Sequence, residues 1–273
     1  MTPATRGSTD GPVGLVSYLT WPGPDSATPI LFLHPVNTAA AVWCDVAREL
    51  AGRWPAVAVD YRAHGESAAG GPYLPVDYAA DALAVLDALG IRRAHVVCGS
   101  IGGAVAAELA AATGDRVASI TTLGATLRLG WPEATLAALE DDLRRKGVRE
   151  WFTEHGADVL GPASRPEAAA ELAELASRGR DIDIVIDVLH GTFGLADSRP
   201  AAATVSASPP PAQVVLGAHD PTCPMEMARE LAGFLQCEVH VIPDIGHLPM
   251  LEDPKGTAAV VSEFLARREE AGR

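Results

Sequence analysis

The segment Val97-Cys98-Gly99-Ser100-Ile101-Gly102-Gly103 joins two stretches of different periodicity. A short apolar run that is typical of a buried strand precedes it, and a helical pattern follows it. A serine nucleophile on so tight a strand-to-helix turn needs small residues two positions before and two positions after it, because the turn lifts the hydroxyl above the sheet. Cys98 and Gly102 occupy these positions, so the sequence predicts that Ser100 is a catalytic nucleophile. The alternative is a serine that only caps the helix N-terminus.

Short apolar runs alternate with helical patterns on both sides of this turn. Uniformly apolar strands with helices between them predict an α/β fold, in which a mostly parallel sheet is covered by helices on both faces. A helical bundle is excluded, because the runs are too short and too rich in β-branched residues. The predicted strands are Ile30–Leu33, Ala56–Val59, Ala94–Cys98, Val117–Leu123, Gln213–Leu216 and Glu238–Ile242. The predicted helices among them include Val76–Leu89, Gly102–Ala112 and Thr257–Arg267.

A long stretch after the strand Val117–Leu123 shows helical patterns only. Its amphipathic segments are Pro132–Lys146, Val148–His155, Pro166–Arg178 and Ile182–Phe193. The run Thr204–Pro211, which is rich in small residues and proline, marks the point where strands resume. The sequence therefore predicts an α/β core of residues 1–130 and 206–273 and a helical cap of residues 131–205.

Composition excludes several classes of protein. Hydrophobic residues make up 48% of the chain and charged residues only 21%, so the chain can bury enough surface to fold. The net charge of −14 would repel nucleic acid and anionic membrane surfaces, and neither is predicted as a partner. No apolar run is long enough to span a membrane, and no signal peptide is visible. Four widely spaced cysteines favour a reducing compartment, so a cytoplasmic location is predicted.

A serine nucleophile needs a general base and an acid that orients the base. On this kind of fold they follow the serine in the order aspartate, histidine, each after a later strand. Asp220 follows one predicted strand, and His247 lies in a glycine turn after the next. Ser100, Asp220 and His247 are therefore the predicted catalytic residues. Asp244 is closer to His247 in sequence, but a residue in the same short turn is expected to point along the chain.

The negative charge that develops on the substrate needs hydrogen-bond donors from the backbone. The predicted oxyanion donors are the amide of Ile101, which follows the serine, and the amide of Val36, which lies in the turn after the strand Ile30–Leu33. Asn37 is a candidate substrate contact, and it is equally well explained as a turn-forming residue.

Apolar residues of the predicted cap either line a substrate pocket or pack the cap on the core, and the sequence does not distinguish the two. Together with Asn37, the candidate substrate-binding residues are Trp131, Trp151, Phe152, Leu189 and Phe193. No histidine cluster has the spacing of metal ligands, and no dinucleotide fingerprint follows a strand. Neither a metal nor another cofactor is predicted, a small-molecule substrate is expected, and the oligomeric state is left open.

These residues resemble the α/β-hydrolase superfamily over essentially the whole chain. The matching motifs are Leu33-His34-Pro35, Asp60–Ser67, Leu89-Gly90-Ile91, Gly246-His247 and Leu251–Pro254. The short cap and the segment Trp151-Phe152-Thr153 are most similar to the 3-oxoadipate enol-lactonase and related esterase group. Pro35, Ala63 and Cys98 stand where the family usually has glycine.

The resemblance implies a serine hydrolase that cleaves an ester or lactone of a small to medium organic substrate through an acyl-enzyme on Ser100. Dehalogenases and epoxide hydrolases of the superfamily use an aspartate nucleophile and are excluded by this serine. Two alternatives stay open. The same triad can serve a carbon–carbon bond hydrolase or a non-hydrolytic lyase or cyclase, and the same scaffold can serve as a non-enzymatic ligand-binding module.

Overall fold

The computed structural model describes residues 4–271, and in this part of the chain eight strands form one sheet. The strands are β1 (Thr5–Gly11), β2 (Gly14–Trp21), β3 (Ile30–Leu33), β4 (Ala56–Val59), β5 (Ala94–Gly99), β6 (Val117–Leu123), β7 (Ala212–Gly217) and β8 (Val239–Ile242). Their order across the sheet is β1-β2-β4-β3-β5-β6-β7-β8. The last six in this order run parallel, whereas β1 and β2 are antiparallel to their neighbours. The predicted parallel sheet is confirmed, and each predicted strand agrees with the structure to within one residue at either end.

The sequence did not predict the hairpin formed by β1 and β2. Strand β1 has no buried residue, and the buried residues of β2 are Val16, Ser17, Leu19 and Trp21. Antiparallel strands at a sheet edge keep one face in water, so they lack the continuous apolar run of a strand that is buried on both faces.

Helices cover both faces of the sheet, as predicted. They are α1 (Cys44–Leu50), α2 (Pro75–Ala88), α3 (Gly102–Thr113), α4 (Glu133–Lys146), α5 (Val148–His155), α6 (Ala168–Ser177), α7 (Ile182–Leu189), α8 (Arg199–Val205), α9 (Met225–Leu235), α10 (Pro249–Glu252) and α11 (Pro254–Ala271). Alternate residues of a strand point to opposite faces. Leu31 and Leu33 of β3 accordingly join the core under α2, α3, α8 and α9, and Ile30 and Phe32 join the core under α1 and α11.

Helices α4 to α8 occupy the chain between β6 and β7, where the sequence predicted helices only. The predicted helix Ile182–Phe193 is shorter as an α-helix, because α7 ends at Leu189 and a π-helical turn, His190–Leu195, continues it. Helix α8 extends to Val205 and so includes the start of the run predicted as a boundary. No helix within residues 4–271 has the length and apolar character needed to cross a membrane.

A buried ion pair holds the loop after β4 against α2. Arg62 donates to the Asp81 carboxylate through Nε at 2.9 Å and Nη2 at 2.8 Å, and the two side chains are 3% and 0% exposed. The backbone amide of Arg62 donates to the same carboxylate. The pair therefore anchors a loop that also carries His64, a residue of the candidate site.

Asp81→Ala is expected to destabilise the protein by about 3–5 kcal/mol, because the buried Arg62 charge loses its two-point carboxylate partner and keeps only the more distant Asp77 carboxylate at 3.5 Å. Asp87→Ala is the matched control on the same helix. Asp87 also pairs with an arginine, but its side chain is 60% exposed, so its loss is expected to cost about 0–1 kcal/mol. Urea unfolding of both variants measures the difference. Equal stability losses would contradict this account of the loop.

Candidate active site

Ser100 lies on a sharp turn between β5 and α3 and has a left-handed backbone φ of +55°. The turn brings the start of α3 against β5 and β3. A Cβ atom on Gly102 would lie 3.1 Å from Cys98 Cβ and 3.1 Å from the carbonyl oxygen of Leu33. The absence of that atom is what leaves room for Cys98, where the family usually has glycine. The buried Cys98 side chain packs inward and its thiol faces the Thr121 carbonyl at 3.6 Å.

Ser100, His247 and Asp220 form a continuous chain of hydrogen bonds. His247 Nε2 lies 3.0 Å from Ser100 Oγ, and His247 Nδ1 lies 3.0 Å from each carboxylate oxygen of Asp220. The Asp220 side chain is fully buried, and its Oδ1 also accepts hydrogen bonds from the backbone amides of Thr222 and Cys223. A carboxylate at Nδ1 holds the proton on that nitrogen, so Nε2 is left as the acceptor for the serine hydroxyl.

Asp244 lies outside this chain of hydrogen bonds. Its side chain is 68% exposed, and its nearest titratable partner is His219, at 3.8 Å between Oδ1 and Nε2. The structure therefore brings together the three residues predicted as catalytic and leaves the neighbouring carboxylate in solvent.

A second buried carboxylate, that of Glu252, holds the loop that carries His247. Its Oε2 accepts hydrogen bonds from the Gly246 amide at 2.8 Å and the Gly161 amide at 2.7 Å, and its Oε1 accepts one from the Leu248 amide at 2.8 Å. Glu252 therefore binds the residues directly before and after His247. The backbone amide of His247 itself donates to the Val159 carbonyl. In the sequence Glu252 stands out only as part of the motif Leu251–Pro254, and a motif does not reveal a partner 91 residues away.

The turn that carries the Val36 amide is held by two neutral histidines. His34 Nε2 accepts a hydrogen bond from the Tyr61 amide at 3.1 Å, and His64 Nε2 accepts one from the Asn37 amide at 3.3 Å. Burial lowers the pKa of His34 to about 4 and lowers the pKa of His64 well below its ordinary value. Both rings therefore stay uncharged at neutral pH and remain able to accept these hydrogen bonds.

Within residues 4–271, the Val36 and Ile101 amides donate to no protein group, so both are available to an oxyanion. Asn37, which follows Val36, is the residue of this turn with a strained backbone, because its φ of +60° is left-handed. Pro35 has no such angle, and its carbonyl accepts hydrogen bonds from His34 Nδ1 and the Thr38 hydroxyl. Proline is thus accommodated where the family usually has glycine.

Asn37 also contacts an arginine that the sequence did not indicate. Arg180, in the loop between α6 and α7, donates from Nη1 to Asn37 Oδ1 at 2.9 Å. Its Nε and Nη2 atoms are buried and have no hydrogen-bond partner among the described residues. Burial lowers the pKa of this arginine to about 10, so it is still a cation at neutral pH. The contact spans 143 residues of sequence, and no spacing pattern reveals it.

A cavity of about 160 Å³ opens beside Ser100 and His247. All six candidate substrate-binding residues lie in its wall, namely Asn37, Trp131, Trp151, Phe152, Leu189 and Phe193. Leu139, another apolar residue of the predicted cap, also lies in the wall. The sequence did not indicate the remaining wall residues, which include Leu143, His155, Val159, Leu172, Thr222 and Leu248. Apolar residues at helical spacing look alike whether they line a cavity or pack in a core, so no sequence signal separated them.

Asp220, Cys223 and His247 place donor atoms within 4.8 Å of one another, which is close enough for a metal ion. Burial, together with the nearby Asp220 carboxylate, raises the pKa of the Cys223 thiol well above its ordinary value. Metal binding needs the thiolate and a free imidazole nitrogen, whereas this thiol stays protonated and His247 Nδ1 is already hydrogen-bonded. The closeness of these three residues is therefore explained by the hydrogen bonds that Asp220 accepts, and it does not indicate a metal site.

Glu252→Gln is expected to lower kcat about 10- to 100-fold, because an amide cannot accept all these hydrogen bonds and His247 shifts away from Ser100. Unsatisfied donors also lower the free energy of unfolding by about 1–3 kcal/mol. The matched control is Asp253→Asn, a change of the same type at the next, exposed residue. Steady-state kinetics and urea unfolding separate the two effects. Lost stability with unchanged kcat would show that Glu252 does not position the histidine.

The chain is similar to known proteins over most of its length. The model of the alpha/beta hydrolase family matches residues 30–260. The chain is 25% identical over 250 residues to 3-oxoadipate enol-lactonase 1 of Acinetobacter baylyi, covering 89% of this chain and 90% of that protein. It is 30% identical over 253 residues to the pimeloyl-[acyl-carrier protein] methyl ester esterase of Chromobacterium violaceum, covering 89% of this chain and 94% of that protein.

Among solved structures, the enol-lactonase from Burkholderia xenovorans superposes with a TM-score of 0.83 at 23% identity, covering 95% of this chain and all (100%) of that one. At this identity the superposition shows a shared fold. The family match covers most of the chain and confirms the resemblance carried by the sequence motifs. The chain belongs to the alpha/beta hydrolase family.

Proposed function

We propose that this protein is a serine hydrolase that cleaves an ester or lactone bond of a small to medium organic substrate through an acyl-enzyme on Ser100. The observation that carries the proposal is the hydrogen-bonded chain from Ser100 through His247 to Asp220 beside a cavity. Relatives named as an enol-lactonase and a methyl ester esterase support the same bond class.

In the proposed first step, Ser100 Oγ attacks the substrate carbonyl while His247 Nε2 takes the hydroxyl proton. The Asp220 carboxylate stabilises the imidazolium that forms. The Val36 and Ile101 amides bind the oxyanion of the tetrahedral intermediate. His247 then gives its proton to the departing alcohol oxygen, and the acyl group stays on the serine.

In the second step, His247 takes a proton from water, and the resulting hydroxide attacks the acyl-enzyme. Collapse of this intermediate returns the proton to Ser100 and releases the carboxylic acid. In a lactone the alcohol and the acid are parts of one molecule, so the product is a single open-chain hydroxy acid, or its keto form when the alcohol is an enol.

We further propose that residues 131–205 act as the cap of this site. Much of the cavity wall comes from these residues, including Trp131, Trp151 and Leu189. Ser100 is only 2% exposed, in keeping with a nucleophile that is shielded from bulk water. The cytoplasmic location inferred from the sequence stays a prediction.

Ser100→Ala is expected to leave the fold intact and to lower kcat on p-nitrophenyl esters by several orders of magnitude, because no nucleophile remains. Triad precedents leave a residual rate of roughly 10³–10⁴ over water. A fluorophosphonate probe is expected to label the unmodified protein rapidly and the variant not at all. Absence of labelling in the unmodified protein would favour a ligand-binding module, and near-normal turnover by the variant would exclude the covalent mechanism.

Asp220→Asn and Asp244→Asn form a matched pair that tests the acid. The first is expected to cost about 10⁴ in kcat, because the imidazole loses the charge that orients it and adopts the wrong tautomer. The second is expected to have little effect, since that carboxylate is in solvent. Steady-state kinetics of both variants decide the assignment. A large loss of kcat in Asp244→Asn, together with a near-normal kcat in Asp220→Asn, would overturn the assignment of Asp220.

A further inference from the structure

The cavity beside Ser100 is almost free of charge. Its wall residues within the described part of the chain include no lysine, arginine, aspartate or glutamate, and two histidines, His155 and His247. His247 belongs to the hydrogen-bonded chain already described. His155 has its Nδ1 at 3.2 Å from the Asp158 carboxylate, whose side chain is 72% exposed. Among residues 4–271, therefore, no lysine, arginine or carboxylate side chain of the wall is available to a substrate.

A buried cation, Arg180, contacts the wall residue Asn37 without belonging to the wall itself. Arg180 donates to Asn37 Oδ1 from Nη1, and it is Asn37 and not Arg180 that belongs to the wall. The other guanidinium nitrogens, Nε and Nη2, are buried and out of reach of solvent. At this point the wall presents the neutral Asn37 amide, whose oxygen already accepts a hydrogen bond from the guanidinium.

Aromatic rings form much of the remaining wall. Trp131 and Phe193 pack edge to face with ring centroids 4.7 Å apart, and Trp151 and Phe152 do so at 5.0 Å. Leucine side chains also line the cavity, among them Leu139, Leu143 and Leu189. A cavity of about 150 Å³ lined by aliphatic and aromatic side chains can hold a benzene molecule. The cavity of about 160 Å³ in this protein is of that size.

From these observations we infer that the substrate is an uncharged ester or lactone whose acyl part is a hydrocarbon group about the size of one ring. The inference rests on the proposed function and narrows it. A carboxylate on the acyl chain would lose its water in this cavity and find no partner, and burying an unpaired charge is strongly unfavourable. A hydrocarbon group of the same shape gains from leaving water.

A pair of substrates that differ only at the end of the acyl chain tests the inference. Methyl hexanoate and the monomethyl ester of adipic acid have the same chain, which ends in a methyl group in one and a carboxylate in the other. We expect kcat/KM for methyl hexanoate to be at least about 100-fold higher, because the carboxylate must be desolvated without a partner. Equal or better turnover of the adipate ester would overturn the inference.

Binding to the Ser100→Ala variant separates this inference from the proposed function, since it requires no chemistry. Calorimetry with the same two esters is expected to give the tighter Kd for methyl hexanoate. If neither ester is turned over by the unmodified protein but this preference holds, the proposed reaction fails and the inferred ligand class stands. Tighter binding of the adipate ester that is lost in Arg180→Met would identify Arg180 as a carboxylate receptor and would overturn the inference.

A charge placed in the wall provides a further check. Phe193→Arg puts a cation into the cavity and is expected to reduce the preference for methyl hexanoate at least about tenfold, because the carboxylate gains a partner. Leu195→Arg is the matched control two residues away, where the side chain is 76% exposed and outside the wall. This control is expected to keep the original ratio of kcat/KM values. An equal ratio in both variants would contradict a role for the uncharged wall in selection.

Discussion

The left-handed turn at Ser100 is the constraint on which the rest of the structure depends. A non-glycine residue with a positive φ is strained, and such strain persists only where the surroundings over-determine the conformation. Here the surroundings are β5 on one side and α3 on the other, brought together at Gly102, where a Cβ atom would meet β3 and Cys98. The turn places the serine hydroxyl beyond the carboxyl end of β5, at the edge of the sheet where the loops after the parallel strands β7 and β8 also lie.

The loops after β7 and β8 carry Asp220 and His247 to Ser100, and buried carboxylates hold these loops in place. Asp220 follows β7 and takes its orientation from two backbone amides as well as from His247. The loop with His247 is clamped by Glu252, whose carboxylate also binds the segment that begins at Gly161, between α5 and α6. One buried side chain therefore ties the histidine loop to the chain that forms the cavity wall. The site is positioned by backbone hydrogen bonds to carboxylates, and these are sensitive to the loss of a single acceptor.

Most strands and the three residues of the hydrogen-bonded chain could be predicted from the sequence, because each has a local sequence pattern. Strands buried on both faces are rich in apolar residues, so β3 to β7 stand out, whereas the half-exposed hairpin of β1 and β2 does not. The edge strand β8 has no buried residue and was predicted because three of its four residues are apolar and β-branched. The order and placement of Ser100, Asp220 and His247 after successive strands identified residues that the structure brings together. Contacts such as Arg180 with Asn37 join segments far apart in the chain and follow no local pattern. The six candidate substrate-binding residues do line the cavity. The sequence could not distinguish that role from packing in a core, because both roles use apolar residues at the same spacing.

The central claim is that Ser100 carries the acyl group of the substrate during the reaction. The most direct measurement is rapid acid quench of the protein with excess p-nitrophenyl ester, followed by mass spectrometry of the intact chain and of its peptides. The account predicts a transient mass increase equal to one acyl group, located on the peptide that contains Ser100, together with a burst of one p-nitrophenol per active site. Turnover without any acylated species at the shortest quench times, or with the acyl group on another residue, would contradict it.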